Sequence, residues 1–474
     1  NTINKDFGVN INIDKLRVSL ISWDTNLEGV FIEDYKKDTL FYVDRLTTSV
    51  LSIRNLVNGQ LEFGDIDIEK LDFKLKTYRD DKNTNLEVFI DKLDDGQPRK
   101  PGTQPFFFSS SRVNIANSTF RLLDENRETE EMLNFAELNI GANDFQILGP
   151  EVSVSIEEMA FLSQRGINVE HMATDFKYTK QQMSFDSLSI RTHSSHLKGN
   201  LIFEYERKDF ADFLNKVKLT ADFEDSAVAF DEINLLYDQF GRGKEVNFST
   251  KVSGVLNDLN TEELFLQSDN TGIRGDFNFK NLFSRADPFV MKADMRNVTS
   301  SYYELRSLMP NILGKSLPSS FQKLGQFTIR GDALITESSI DAKVNLNTAI
   351  GSSYADLELA NVNNIDNATY QGFVSLIDFD LGDFVENKRL GKATLDFNVE
   401  GKGFVQETLN TEVIGEVYSV SFNNYEYTDI KVSGILKEQL FDGTLISNDE
   451  NLKFSFKGLA DFGENRNDCI QKMK

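Results

Sequence analysis

The residues that could do chemistry are few. The chain has three histidines, His171, His193 and His196, and one cysteine, Cys469. His193-x-x-His196 is the closest pair. On a strand, a spacing of three turns the two rings to opposite faces, so they cannot share a metal ion. Asp81-Lys-Asn83-Thr-Asn85 opens like a calcium loop. Its sixth position is Leu86, where a glycine must turn the chain, and its twelfth is Lys92, where a bidentate Glu belongs; the segment reads as a polar hairpin turn. Asp378 and Asp380 stand two apart, on one face of a strand. In a chain with 75 acidic residues such pairs arise without a purpose, and a solvated edge explains them better than a general acid and base. No glycine-rich phosphate loop and no nucleophile elbow falls between a strand and a helix. A lone cysteine allows no disulfide within one chain. The expectation is a protein without catalytic residues, metal or cofactor.

Composition turns attention to surface. The formal charge of −24 excludes nucleic acid as a partner, because binding phosphates takes clustered Lys and Arg. The acids are spread through the chain and serve solubility. Phe is used 39 times against one Trp, and each Phe buries a large apolar area with no polar atom to satisfy. No run is long and apolar enough to span a bilayer as a helix.

Those apolar residues recur with period two. Leu395, Phe397 and Val399 alternate with Asp396 and Asn398. Ile340, Ala342, Val344 and Leu346 alternate with Asp341, Lys343 and Asn345. Leu452, Phe454 and Phe456 alternate with Lys453 and Ser455; Phe277 and Phe279 flank Asn278. This is the signature of antiparallel strands with one apolar and one wet face. Turn pairs separate them, among them Asn58-Gly59, Asn423-Asn424, Asp442-Gly443 and Asn448-Asp449. Their spacing gives roughly 25 to 30 strands. Helical spacing appears over Tyr302 to Leu324 and, more briefly, over Asp209 to Lys216, Ile233 to Phe240 and Leu381 to Asn387. Residues 94–105 hold three of the seven prolines and read as a loop between a strand-rich unit, 1–93, and serial strands over 106–462. Residues 463–474 form a tail outside the pattern. Lys251-Val-Ser-Gly-Val-Leu and Lys431-Val-Ser-Gly-Ile-Leu are near copies, which favours an array over separate globules.

So many one-faced strands in series must hide their apolar sides. A closed barrel of that strand number would be too wide for side chains to fill. The expected fold is all-β: an elongated, curled antiparallel sheet, a trough with an apolar interior, carrying a few short helices. Its lining would include Phe277, Phe279, Ile329, Val344, Leu346, Leu395, Phe397, Val399, Leu452, Phe454 and Phe456, a surface suited to acyl chains.

The order of several stretches resembles the TamB family, the translocation and assembly module, in its Bacteroidetes form, within the AsmA-like repeat proteins. They are Asn10-Ile-Asn-Ile-Asp-Lys-Leu, Lys37-Asp-Thr-Leu-Phe-Tyr-Val, Asp67 to Tyr78 with Asn83-Thr-Asn-Leu-Glu-Val-Phe-Ile, and Leu317-Pro-Ser-Ser-Phe-Gln-Lys-Leu-Gly. Gly401-Lys-Gly-Phe follows, then Tyr425-Glu-Tyr-Thr-Asp-Ile-Lys-Val-Ser-Gly-Ile-Leu and Asn451 to Phe462. The resemblance implies an AsmA-like unit over 1–93, a periplasmic β-groove, an inner-membrane anchor upstream of Asn1 and a longer C-terminal part that docks on an outer-membrane barrel of the TamA type. It implies a role in outer-membrane biogenesis, as phospholipid transport, as assembly or secretion of barrel proteins, or both. The alternatives are an adhesin-like structural β-repeat protein, which would have a filled sheet interior, and a polysaccharide-active β-solenoid, which would bring carboxylates together in a cleft.

Overall fold

The computed structural model of the chain describes residues 10–19, 24–51, 60–93, 107–127, 131–235, 240–284, 287–308, 310, 319–404 and 407–461. The chain is nearly all β, in strands long enough to use the period-two pattern fully, and it divides into two compact units at Leu236 and Tyr237. The proline-rich segment 94–105 and the tail 463–474 lie outside the described residues. The strands on either side of 94–105 belong to one unit.

The first unit holds β1 (Asn10–Val18), β2 (Asp24–Glu33), β3 (Thr39–Val50) and β4 (Gln60–Thr77), then helix α1 (Asn85–Leu93). After it come β5 (Phe107–Asp124), β6 (Glu131–Leu148), β7 (Glu151–Ser163), β8 (Asn168–Tyr178), β9 (Gln182–Thr192), β10 (His196–Glu204) and β11 (Lys218–Ala229), with the short helices α2 (Phe213–Lys216) and α3 (Phe230–Ile233). Each strand pairs with its predecessor. Every pairing is antiparallel except β4 with β5, which run parallel from Gln60↔Phe107 to Thr77↔Asp124. That exception corrects the expectation of a purely antiparallel sheet. Its cause is local. Asn83 to Ile90 does not close a hairpin, because Thr84 and Glu87 cap each other's backbone N–H groups and start α1. A crossover, not a tight turn, therefore follows β4.

The second unit is a meander of β12 (Glu245–Val255), β13 (Asp258–Ser268), β14 (Thr271–Lys280), β15 (Val290–Ser301), β16 (Gln326–Thr336), β17 (Ser339–Thr348), β18 (Gly351–Ala360), β19 (Thr369–Asp380), β20 (Leu390–Lys402), β21 (Asn410–Phe422), β22 (Tyr425–Lys437), β23 (Leu440–Asn448) and β24 (Lys453–Asp461). Helix α4 (Tyr302–Leu308) follows β15, a 3-10 segment (Ser319–Leu324) precedes β16, and α5 (Leu381–Val385) joins β19 to β20. Among the described residues all pairings are antiparallel and sequential, and β24 pairs with β23 and not with β12, so the sheet is open. Asn423 and Asn424, at φ +49° and +67°, make the two-residue hairpin turn expected of them. Asp442-Gly443 does not turn; it lies inside β23, where Gly443 opposes Gly434. A Cβ on Gly434 would meet the Gly443 Cα at 2.6 Å, so these glycines serve close approach of two strands.

One device recurs where strands bend. A non-glycine residue takes a left-handed φ inside a strand, and a side chain of the next strand accepts its backbone N–H. Asn117 donates to Asn139 Oδ1 at 3.0 Å, Ser187 to Asn200 Oδ1 at 2.9 Å, Glu263 to Asp276 Oδ1 at 2.6 Å and Asp378 to Thr394 Oγ1 at 3.1 Å. These are β-bulges, which add bend and twist to the strand that carries them. The polar cap pays the N–H that the ladder has lost.

Candidate functional site

Cross-strand partners share a face of a sheet and alternate residues along a strand do not. In the second unit this rule threads one apolar row from strand to strand. Val344 on β17 stands opposite Ala355 on β18, then Val374, Phe397, Gly415, Val432, Leu445 and finally Phe456 on β24. In the other direction it runs through Gly331, Met295 and Gly275 to Leu264. A second row on the same face holds Ile273, Val298, Ile329, Leu346, Leu376, Leu395, Val417 and Ile430, and ends at Ser447 and Phe454. A third runs from Phe277 through Ala293, Ala333, Ala342, Leu357 and Gly372 to Val399. Phe279 lies two residues beyond Phe277, its ring centroid 6.2 Å away, and pairs with Met291.

The predicted lining is thus brought to one face. Phe277, Phe279, Ile329, Val344, Leu346, Leu395, Phe397, Val399, Phe454 and Phe456 all fall on it. Leu452 does not lie on a strand. It sits in the turn before β24, 40% exposed, with its backbone N–H on Asp449 Oδ1 and its carbonyl accepting from Ser447.

The two faces differ sharply. Along β17, Ile340, Ala342, Val344 and Leu346 are half-buried, while Asp341, Lys343, Asn345 and Asn347 are exposed. A hollow of about 830 Å³ in the second unit draws much of its wall from the polar face, with Asp341, Glu358, Glu400 and Glu412 among its lining. Carboxylates there reject hydrocarbon. The apolar rows, not that hollow, are where an apolar guest would lie.

Short helices cover part of the apolar face. Leu324 of the 3-10 segment is buried with Phe327 and Phe379, and around these three pack Leu305 of α4, Phe321 of the 3-10 segment, Leu381 and Phe384 of α5, and Ile329, Leu346 and Leu376 of the sheet. Leu395, 6% exposed, is buried next to it with Ala393 and Val417. The rows of Val344 and of Val399 lie outside that cover.

The sequence-derived lining is drawn from the second unit alone, and it misses an aromatic ladder in the first. Phe73, Phe120, Phe135 and Phe161 follow one another with centroids 5.5, 5.9 and 4.2 Å apart. Phe63, Phe108 and Phe145 run beside them at 5.3 and 5.7 Å. Phe176, Phe185, Phe203 and Phe213 make a third series at 5.0, 6.4 and 5.9 Å. The unusual phenylalanine content was the signal; the bulges between these strands shift the register, so the partners cannot be matched by counting.

The residues weighed for chemistry are dispersed. His193 is in the turn before β10, its Nδ1 3.7 Å from Glu170, whereas His196 opens β10 and its Nε2 contacts the Asp225 carbonyl at 3.0 Å. Asp378 is a bulge residue, and Asp380 caps α5 by accepting the Asp383 N–H. The calcium-like segment is the start of α1. Its Asn85 is fully buried: Oδ1 accepts the N–H groups of Lys76 and Leu86, and Nδ2 donates to Asp34 and the Lys74 carbonyl. Asp34 also accepts Tyr78 Oη at 2.5 Å, and burial, together with that hydrogen bond, pushes the Tyr78 phenol far up. This polar knot pins the crossover between β4 and β5. No helix among the described residues is long and apolar enough to cross a membrane.

Comparison with protein-family models, with curated proteins and with solved structures finds no match.

Proposed function

We propose that this chain is a segment of a TamB-type protein of outer-membrane biogenesis, working in the periplasm, whose apolar sheet face guides phospholipid acyl chains between membranes. The observation that supports it is the uninterrupted row from Leu264 to Phe456, one residue per strand, with no charged side chain in it. An acyl chain gains about 0.8 kcal/mol for each CH₂ removed from water, on such a row as in a bilayer, so transfer between the two is nearly level. A conduit needs that balance, and it needs no catalytic group. An adhesin-like repeat would fill this face with a second layer; among the described residues only the short helical segments lie on it. In the same reading, docking on a TamA-type barrel and assistance to outer-membrane protein assembly belong to the larger protein.

The test is direct. Protein purified from a bacterial envelope under mild conditions is expected to carry phospholipid detectable by mass spectrometry, in amounts that fall when Phe397 and Val344 are made polar. Lipid-free protein from the same preparation would refute the reading.

A further inference from the structure

The helical cover on the second unit is braced as one body. Tyr303 Oη of α4 donates to Gln322 Oε1 of the 3-10 segment at 3.1 Å. Lys323 donates to the Phe384 carbonyl of α5 at 3.1 Å and pairs with Glu386 at 2.9 Å. The Leu324 carbonyl accepts the Ala349 N–H at 3.0 Å, which seats the segment on the hairpin of β17 and β18. Two connections, β15–β16 with α4 and the 3-10 segment and β19–β20 with α5, thus meet along one margin of the apolar face, where Phe321, Leu381 and Phe384 join Ile329 and Leu346 in packing around Leu324, Phe327 and Phe379.

Such a body removes a row from use. Rows on one face lie about 7 Å apart, two residues along an extended strand. A hydrocarbon chain lying along Leu346 competes with the apolar groups already gathered in that cluster, and it gains nothing by the exchange. Among the described residues, no helical residue joins Val344, Phe397 or Val399 in that cluster.

Resting on the reading above, we propose that these braced insertions form a ledge that sets the lane of the lipid: acyl chains run across the strands on the rows of Val344 and Phe397 and of Phe277 and Val399, and are kept off the row of Ile329 and Leu346. Phe321 and Phe384 are the specificity-determining residues. The ledge narrows the guest surface from its margin inward, so it favours a lipid with few chains side by side over one with many.

The experiment leaves the protein unlabelled. The chain is incubated with vesicles of phosphatidylethanolamine and phosphatidylglycerol carrying a diazirine on one acyl chain, irradiated, and the labelled residues are read by peptide mass spectrometry. Label is expected at Val344, Phe397 and Val399, and at least tenfold less at Ile329 and Leu346. In the Phe321→Ala/Phe384→Ala variant, label is expected to appear at Ile329 and Leu346 while Val399 stays labelled. Equal labelling of Leu346 and Val399 in the wild-type chain overturns the ledge but keeps the lipid reading. So does a variant that keeps label at Val399 and gains none at Leu346. Absence of label from all of these rows overturns the lipid reading itself, and the ledge with it.

Discussion

Phe397 stands directly across the ladder from Gly415, and its ring covers the space a side chain there would need. A Cβ on Gly415 would lie 2.6 Å from Phe397 Cδ1 and 1.9 Å from the Asp396 carbonyl oxygen. The glycine is therefore part of the phenylalanine's seat. Overpacking of this kind costs about 1–3 kcal/mol. Gly415→Ala is expected to lower the unfolding free energy from urea titration by that amount, whereas Gly141→Ala, whose Cβ would meet nothing within 4 Å, is expected to leave it within about 0.5 kcal/mol.

The facing of β20 gives a functional contrast. Phe397 is on the apolar row and Asn398, its neighbour, is exposed on the polar face. Phe397→Asp puts an unpaired carboxylate where a lipid tail must pass, at a cost of several kcal/mol, or a hundredfold or more in transit. Asn398→Asp introduces the same group into water. In complementation of an outer-membrane barrier defect by the full-length protein, the first variant is expected to fail at normal abundance and the second to succeed. Equal complementation by both would refute the conduit.

Asn85 holds four backbone and side-chain partners in a site with no access to water. Truncating it leaves buried groups unpaired at about 1–3 kcal/mol each. Asn85→Ala is expected to destabilise the first unit by about 2–4 kcal/mol, with amide exchange accelerated in α1 and in the β4–β5 ladder before the β8–β11 strands respond.

The same region is acid-sensitive. Burial alone would raise the Asp38 carboxyl, but the hydrogen bonds from Lys74 and the Thr39 N–H and the charges of Lys74 and Lys76 outweigh it and hold Asp38 below the usual carboxylate range. Lys76, bonded at 2.7 Å, does the same for Glu125. A depressed folded-state pKa stabilises above the unfolded value and is lost as pH falls through the folded one. Stability of the first unit is expected to be flat near neutrality and to decline below about pH 4. Lys76→Met should flatten that decline; an unchanged acid slope in the variant would show that the pair does not contribute.

The one-sided strands were legible because their alternation is written residue by residue. Val344 and Phe456 could be assigned to a shared face although more than a hundred positions separate them in the chain. The ledge was half legible: Tyr302 to Leu308 and Leu381 to Val385 carry helical spacing, but nothing local says that Phe321, Phe384 and Leu346 pack around one cluster. The crossover was not legible. Asn85-Leu-Glu-Val-Phe-Ile looks like strand by its β-branched and aromatic residues, and the helix is decided by the Thr84–Glu87 cap and by Asn85 reaching Asp34, a partner far away in the chain. Asp442-Gly443 misled in the opposite sense, because a glycine serving close strand approach and a glycine serving a turn look alike until Gly434 is found across from it.

The sequential meander also dictates an order of assembly. From β5 onward in the first unit, and from β12 onward in the second, each strand finds its partner in the one just made, in most cases across a short connection. Loop-closure entropy is small at most of these steps, so each sheet can grow like a zip while the chain is still emerging from a ribosome or a translocation pore. β4 and β5 are the exception. Their parallel register forms only after α1 and the crossover have passed, which makes the Asn85 knot the slow stitch of the first unit and the point at which a stalled chain would expose β4 as an open edge.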